Sequence, residues 1–291
     1  MDRLENALVE HALAGEKLVC LVRITDAERG PLLNWIRGKR RPAGDLTSPF
    51  PSATSTALIR ANHLSDPASL GNEELEDGAA AFFTAVRSFM DRVEVPLTDL
   101  KASANDGYEQ IFAVKRVYRQ TFDAIWLPAG KNFAVLAADL PPGVPSGFAS
   151  YSQTYLASQL RKALGRPVVL ENLWPAIHGL FKSEEGRLVD HGFVNNEHAV
   201  KNHTARRGGR SLRDDEYDKA GAEKVGDDLL TYKTAVAWDI GEGDAERSQP
   251  EVLLPGTSRS LKNNKLEHFI ARNCINSRDL AFVISKIAAY L

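Results

Sequence analysis

The sequence predicts an α+β protein, mostly helical over residues 1–105 and built from 106 to 291 on a mainly antiparallel sheet with flanking helices. Three observations carry this expectation. Ala79, Phe82, Phe83, Val86, Met90 and Val93 form one apolar stripe at helical spacing. Residues from 108 to 126 alternate with period two, and the stretch after Ser277 carries a second helical stripe.

Taken in order, Leu4, Ala7, Leu8, His11 and Ala12 mark a first helix that runs into a buried strand, Leu18 to Val22. Pro42, Gly44, Pro49, Pro51, Pro67 and Gly71 make 42–72 a loop. Asn72 then caps the helix of the first stripe, with Glu73, Glu74, Glu76 and Asp77 at its positive end. Beyond it, Phe112, Val114, Tyr118, Phe122, Ala124 and Trp126 share one parity, interrupted only by Arg116 and Gln120, as a β segment requires. Asp123 to Leu127 and Asn132 to Ala138 flank Pro128-Ala129-Gly130-Lys131 as a hairpin. Breakers at 140–147 precede a helix near 152–164, and Gly186 to Val194 and Thr231 to Ile240 read as strands. Ser277 caps the last helix, with Leu280, Val283, Ile284, Ile287 and Leu291 facing inward.

Charge and motif content narrow the function. Thirty-six Lys and Arg against 38 Asp and Glu give a net charge of −2, so any binding charge is local. Cys20 and Cys274 form no CxxC pair, which fits a reducing cytoplasm, and no apolar run approaches the ~18 residues of a membrane span. Neither a phosphate-binding loop, nor G-x-G-x-x-G, nor G-x-S-x-G, nor H-E-x-x-H occurs.

Three basic segments point to a nucleic-acid partner held through its phosphate backbone, with no cofactor. They are Arg37, Lys39, Arg40 and Arg41; Lys115, Arg116 and Arg119 beside Tyr118; and Lys201, Arg206, Arg207, Arg210 and Arg213 around Gly208-Gly209. Each also reads as ordinary solvated surface, and Arg210 and Arg213 as partners for the acids that follow them. The absence of the common housekeeping motifs suggests an accessory role, for instance in host defence or in a mobile element.

Two rivals come from other classes. Asp190, His191, His198, His203, Asp214 and Asp215 carry the residue types of a divalent-metal nuclease or phosphodiesterase. Five residues separate His198 from His203, which puts them on opposite faces of a strand, so only an irregular segment brings both to one ion. Asp99-Leu100-Lys101 with Asp77 offers a weaker version of the same chemistry. The third reading is an interaction subunit that meets a protein partner or a second copy through surfaces containing Trp35, Trp126 and Trp174.

Overall fold

The computed structural model describes residues 3–62, 64–101, 107–195, 198–205, 209–216, 230–241 and 247–291. Its helices are α1 (Arg3–Ala14), α2 (Asp26–Arg37), α3 (Thr56–Ala61), α4 (Ser146–Leu164), α5 (Trp174–Lys182) and α6 (Ser277–Ala288). The strands are β1 (Lys17–Arg23), β2 (Ala68–Leu75), β3 (Gly78–Val95), β4 (Ile111–Leu127), β5 (Phe133–Asp139), β6 (Arg187–Val194), β7 (Val200–Thr204), β8 (Leu230–Ala237), β9 (Glu251–Leu254) and β10 (Phe269–Arg272).

All ten strands among the described residues belong to one sheet, ordered β2-β3-β4-β5-β1-β10-β9-β8-β6-β7, and every neighbouring pair is antiparallel. Helices cover both faces. On one, Val9 and Leu13 of α1, Ile177 and Leu180 of α5, and Val283, Ile284 and Ile287 of α6 pack on Val19, Leu21, Phe82, Trp126 and Phe269. On the other, Leu32 and Ile36 of α2 and Leu156 and Leu160 of α4 pack on Cys20, Val22, Phe83, Ile125 and Leu136. A strand covered on both sides needs apolar side chains at both parities, which explains the unbroken run Leu18 to Val22. Cys20 and Cys274 lie in opposite layers, and burial pushes the Cys20 thiol up to about 12. No described helix is long and apolar enough to cross a membrane.

The helical first third is overturned. Residues 68–95 form β2 and β3, and the helices are spread along the chain. Ala79 through Arg87 are all buried, because odd positions face α2 and α4 while even ones face the opposite layer. Apolar residues at both parities include a subset at helical spacing by arithmetic alone, so the stripe at Ala79, Phe82, Phe83 and Val86 was a by-product of two-sided burial. Asn72 caps nothing; its Nδ2 donates to the Arg37 and Lys39 carbonyls at 3.1 and 2.9 Å. Glu73 and Glu74 pair with Arg41 and Arg37, each at 2.7 Å, across the sheet edge. The stretch expected as loop contains α3 and the first half of β2.

Later elements lie closer to expectation. The hairpin pairs Ala124, Ile125 and Trp126 with Ala137, Leu136 and Val135. The cap of α6 is Asn276, one residue earlier than expected, and its side chain accepts from the Asp279 amide at 3.0 Å. Leu291 lies beyond α6 and is exposed.

Candidate nucleic-acid interface

β3 and β4 are much longer than their neighbours. β2 pairs with β3 only as far as Thr84, and β5 meets β4 only at Ala124 to Trp126. The outer nine rungs, from Arg87 opposite Arg119 to Val95 opposite Ile111, therefore project as a two-stranded ribbon without register shifts. At ~3.3 Å per residue it extends about 30 Å. Alternation gives it two chemically different faces.

One face continues the Phe82 and Trp126 layer and carries Ser88, Met90, Arg92 and Glu94 beside Phe112, Val114, Arg116 and Tyr118. Met90, Phe112 and Val114 are exposed. The Arg92 guanidinium lies 4.1 Å from the centre of the Phe112 ring, and Arg116 Nη1 donates to Ser88 Oγ at 3.5 Å. This parity is the one visible in the sequence from Phe112 to Trp126.

At the foot of the ribbon, α3 and β4 border a cleft of about 360 Å³ lined by Thr54, Arg60, Lys115, Arg116, Tyr118 and Arg119. Its cations are exposed, and none forms an ion pair among the described residues. Thr54 Oγ1 is buried there without a hydrogen-bond partner among the described residues. Arg60 was missed by the sequence reading because its helix lies in the proline-rich stretch; Ser55 ahead of Thr56-Ala57-Leu58 was the available signal. Its side chain caps α3 by accepting from the Leu58 amide at 3.3 Å.

The first basic segment is divided in role. Arg41 is a structural clamp, donating to the Leu70 carbonyl at 2.9 Å, the Phe50 carbonyl at 2.7 Å and Glu73 at 2.7 Å. Arg37 pairs with Glu74, and Arg40 Nη1 turns back to the carbonyls of Arg37 and Lys39. Lys39 Nζ sits 3.9 Å over the Trp35 ring, and burial together with nearby Lys162 lowers its pKa. Arg161, Lys162 and Arg166 line a groove of about 480 Å³ at the end of α4, with Arg166 bound to Glu28.

The third segment lies far from the first two. Lys201 is exposed on β7, the edge strand seven positions from β4, about 34 Å away at ~4.8 Å per strand. Arg206 and Arg207 fall outside the described residues. Arg210 is exposed, whereas Arg213 is committed to the carbonyls of Gly186 and Leu180 at 2.7 and 2.9 Å and its pKa is lowered by burial.

The residues of the metal reading are dispersed. His191 and His203 are register partners on β6 and β7, but Asp190 faces the other way and pairs with Lys233 at 2.7 Å. His191 is buried between Phe181 and Phe193, with ring centroids at 4.0 and 4.8 Å, and its Nε2 lies 3.3 Å from Thr231 Oγ1. Burial pulls its pKa down to about 3, so it is neutral. His198 occupies the β6–β7 turn with φ +61°, and Asp214 and Asp215 are exposed. No group of three or more His, Cys, Asp or Glu among the described residues is arranged to hold a metal ion. Asp77 and Asp99 lie beyond opposite ends of β3, so they do not converge either.

Compared with protein-family models and with curated proteins, the chain matches none.

Proposed function

We propose that the protein binds nucleic acid through the phosphate backbone at the foot of the β3–β4 ribbon. The observation that supports this is the cleft between α3 and β4, where Arg60, Lys115, Arg116 and Arg119 gather without carboxylate partners beside Tyr118. Guanidinium forks suit phosphate oxygens, and unpaired cations release counterions when a phosphate replaces them. Arg92 on Phe112, with Met90 and Val114 exposed nearby, continues the same face outward as a surface on which unstacked bases can lie. Contacts of this kind read charge and stacking, so binding is independent of sequence.

Fluorescence anisotropy with labelled single-stranded and duplex oligonucleotides over a salt series tests this. Wild-type affinity falls with salt, and Arg60→Ala, Arg116→Ala and Arg119→Ala each shrink the slope of log K against log salt by about one. Arg37→Ala, whose side chain already holds Glu74, leaves the slope nearly unchanged. A wild-type affinity indifferent to salt removes the proposal.

A further inference from the structure

Where the sheet face covered by α2 and α4 runs out beyond Phe83, the start of α4 and the foot of the ribbon border a cleft of about 740 Å³. Asp66, Arg87, Phe89, Gly147, Phe148 and Tyr151 line it. Arg87 is 4% exposed, and its guanidinium lies 5.8 and 5.3 Å from the ring centres of Phe148 and Tyr151. Nη1 donates to the Ser65 carbonyl and Nη2 to Ser152 Oγ, both at 2.9 Å, while Nε has no hydrogen-bond partner among the described residues. Nor does any carboxylate among the described residues form an ion pair with it. A charge taken out of water ordinarily has an opposite charge beside it, because desolvation is costly. Asp123, hydrogen-bonded to Ser152, is wholly buried, and burial raises its pKa, which weakens it as a counter-charge.

The start of α4 brings a second positive element to the same cleft. Pro145, at the cap position of this 19-residue helix, offers no side-chain hydrogen bond, and the first turn holds no acid. The Phe148 amide donates to the Pro145 carbonyl at 3.0 Å, whereas the amides of Ser146 and Gly147 have no acceptor among the described residues. Free N–H groups at a helix start carry roughly half a positive charge and hold anions. Gly147 has open space where a Cβ would be, which leaves its backbone open to close approach.

We infer that this cleft binds a small monoanionic carboxylate with a flat apolar body, the carboxylate held by Arg87 and the first turn of α4 and the body lying against Phe89, Phe148 and Tyr151. Charge selects a carboxylate over a phosphate. One guanidinium and the helix start sum to about +1.5, and Asp66, whose Oδ1 accepts from the Tyr151 hydroxyl at 2.8 Å, takes back one. What remains suits a single negative charge and disfavours a dianion. The volume falls within the ~300 to 1,000 Å³ of small-molecule sites. None of these residues belongs to the cleft between α3 and β4, so the inference does not rest on nucleic-acid binding.

Fluorescence titration with naphthoate, its neutral counterpart naphthamide and naphthyl phosphate tests this at about pH 8, where the phosphate carries two charges. Naphthoate binds once per chain with a Kd below about 1 mM, and the other two bind at least about tenfold more weakly. Gly147→Asp places a carboxylate in the site itself and lowers naphthoate affinity at least about tenfold. Its melting temperature holds or rises, since an acid in the first turn suits the helix. Gly147→Asn, equal in bulk and uncharged, stays within about threefold of wild type. Arg87→Met loses the preference for the acid over the amide; should that variant fail to fold, the three probes and the two Gly147 variants decide. Equal affinity for naphthoate and naphthamide, tighter binding of the phosphate, equal losses in the two Gly147 variants, or no saturable binding of naphthoate up to about 10 mM would each overturn the inference.

Discussion

Lys17 and Asp139 form a 2.7 Å ion pair between the paired ends of β1 and β5, with the Lys17 side chain only 2% exposed. Lys17 Nζ also donates to the Phe122 carbonyl at 2.8 Å, and Asp139 Oδ2 accepts from the Phe122 amide at 3.1 Å. The pair thereby anchors β4 where its pairing with β5 has ceased. Lys17→Met strands a carboxylate and a carbonyl in a poorly solvated site, for an expected loss of about 3 to 5 kcal/mol in urea unfolding. Lys17→Met with Asp139→Leu costs less than the single change, because no charge is left unpaired. Equal losses in the two proteins would refute this account.

His191 makes stability depend on pH. The unfolded chain protonates it near 6.5, whereas the native state resists down to about 3. Protons therefore favour the unfolded state in this window: stability is intact above pH 6.5 and declines as pH falls, by up to ~1.4 kcal/mol per pH unit. His191→Phe, which fits between Phe181 and Phe193, flattens the profile. His268, also lowered by burial, leaves a residual slope of the same sign. Thermal melts of both proteins between pH 4 and 7 decide it; parallel profiles would exclude His191 as the source.

Gly78 closes the β2–β3 turn at φ +106°, and a Cβ there would lie 2.2 Å from the Leu127 carbonyl oxygen. Gly78→Ala should cost about 3 kcal/mol or more, from strain plus a clash with backbone that cannot yield. Gly130, at φ +64° with open space around its Cβ, supplies the comparison, and Gly130→Ala should cost only ~1 to 2 kcal/mol. Denaturant midpoints that rank the two the other way would contradict the steric argument.

Ile284 and Ile287 of α6 are 2% and 0% exposed in the layer shared with α1 and α5. Truncating either to alanine should lower unfolding stability by about 2 to 5 kcal/mol. A midpoint that barely moves would mean that α6 is dispensable to the fold.

The C-terminal helix was legible because it has one buried face and a capping side chain, the conditions under which periodicity speaks clearly. β4 was legible for a related reason, since the ribbon's Tyr118 face keeps a single parity. β3 was not, because Ala79 to Arg87 are enclosed on both sides and two-sided burial erases alternation. Among the basic residues, local sequence gave Lys115, Arg116 and Arg119 together with Tyr118. It could not separate them from Arg41 and Arg213, whose guanidinium groups are held by carbonyls brought in from elsewhere in the chain. Nor could spacing reveal that Lys201 lies at the far edge of the sheet.

β1 occupies the interior of the sheet, with β5 on one edge and β10 on the other, Lys17 pairing with both Asp139 and Ala271. Among the described strands, β1 comes first in chain order, yet its second edge is filled only by the last, β10. At ~5 to 20 residues per second, β10 follows β1 by roughly 10 to 50 seconds, during which an apolar strand has one unsatisfied edge. That interval is long compared with hairpin formation, so the apolar β1 keeps one edge open through most of the synthesis of the strands described.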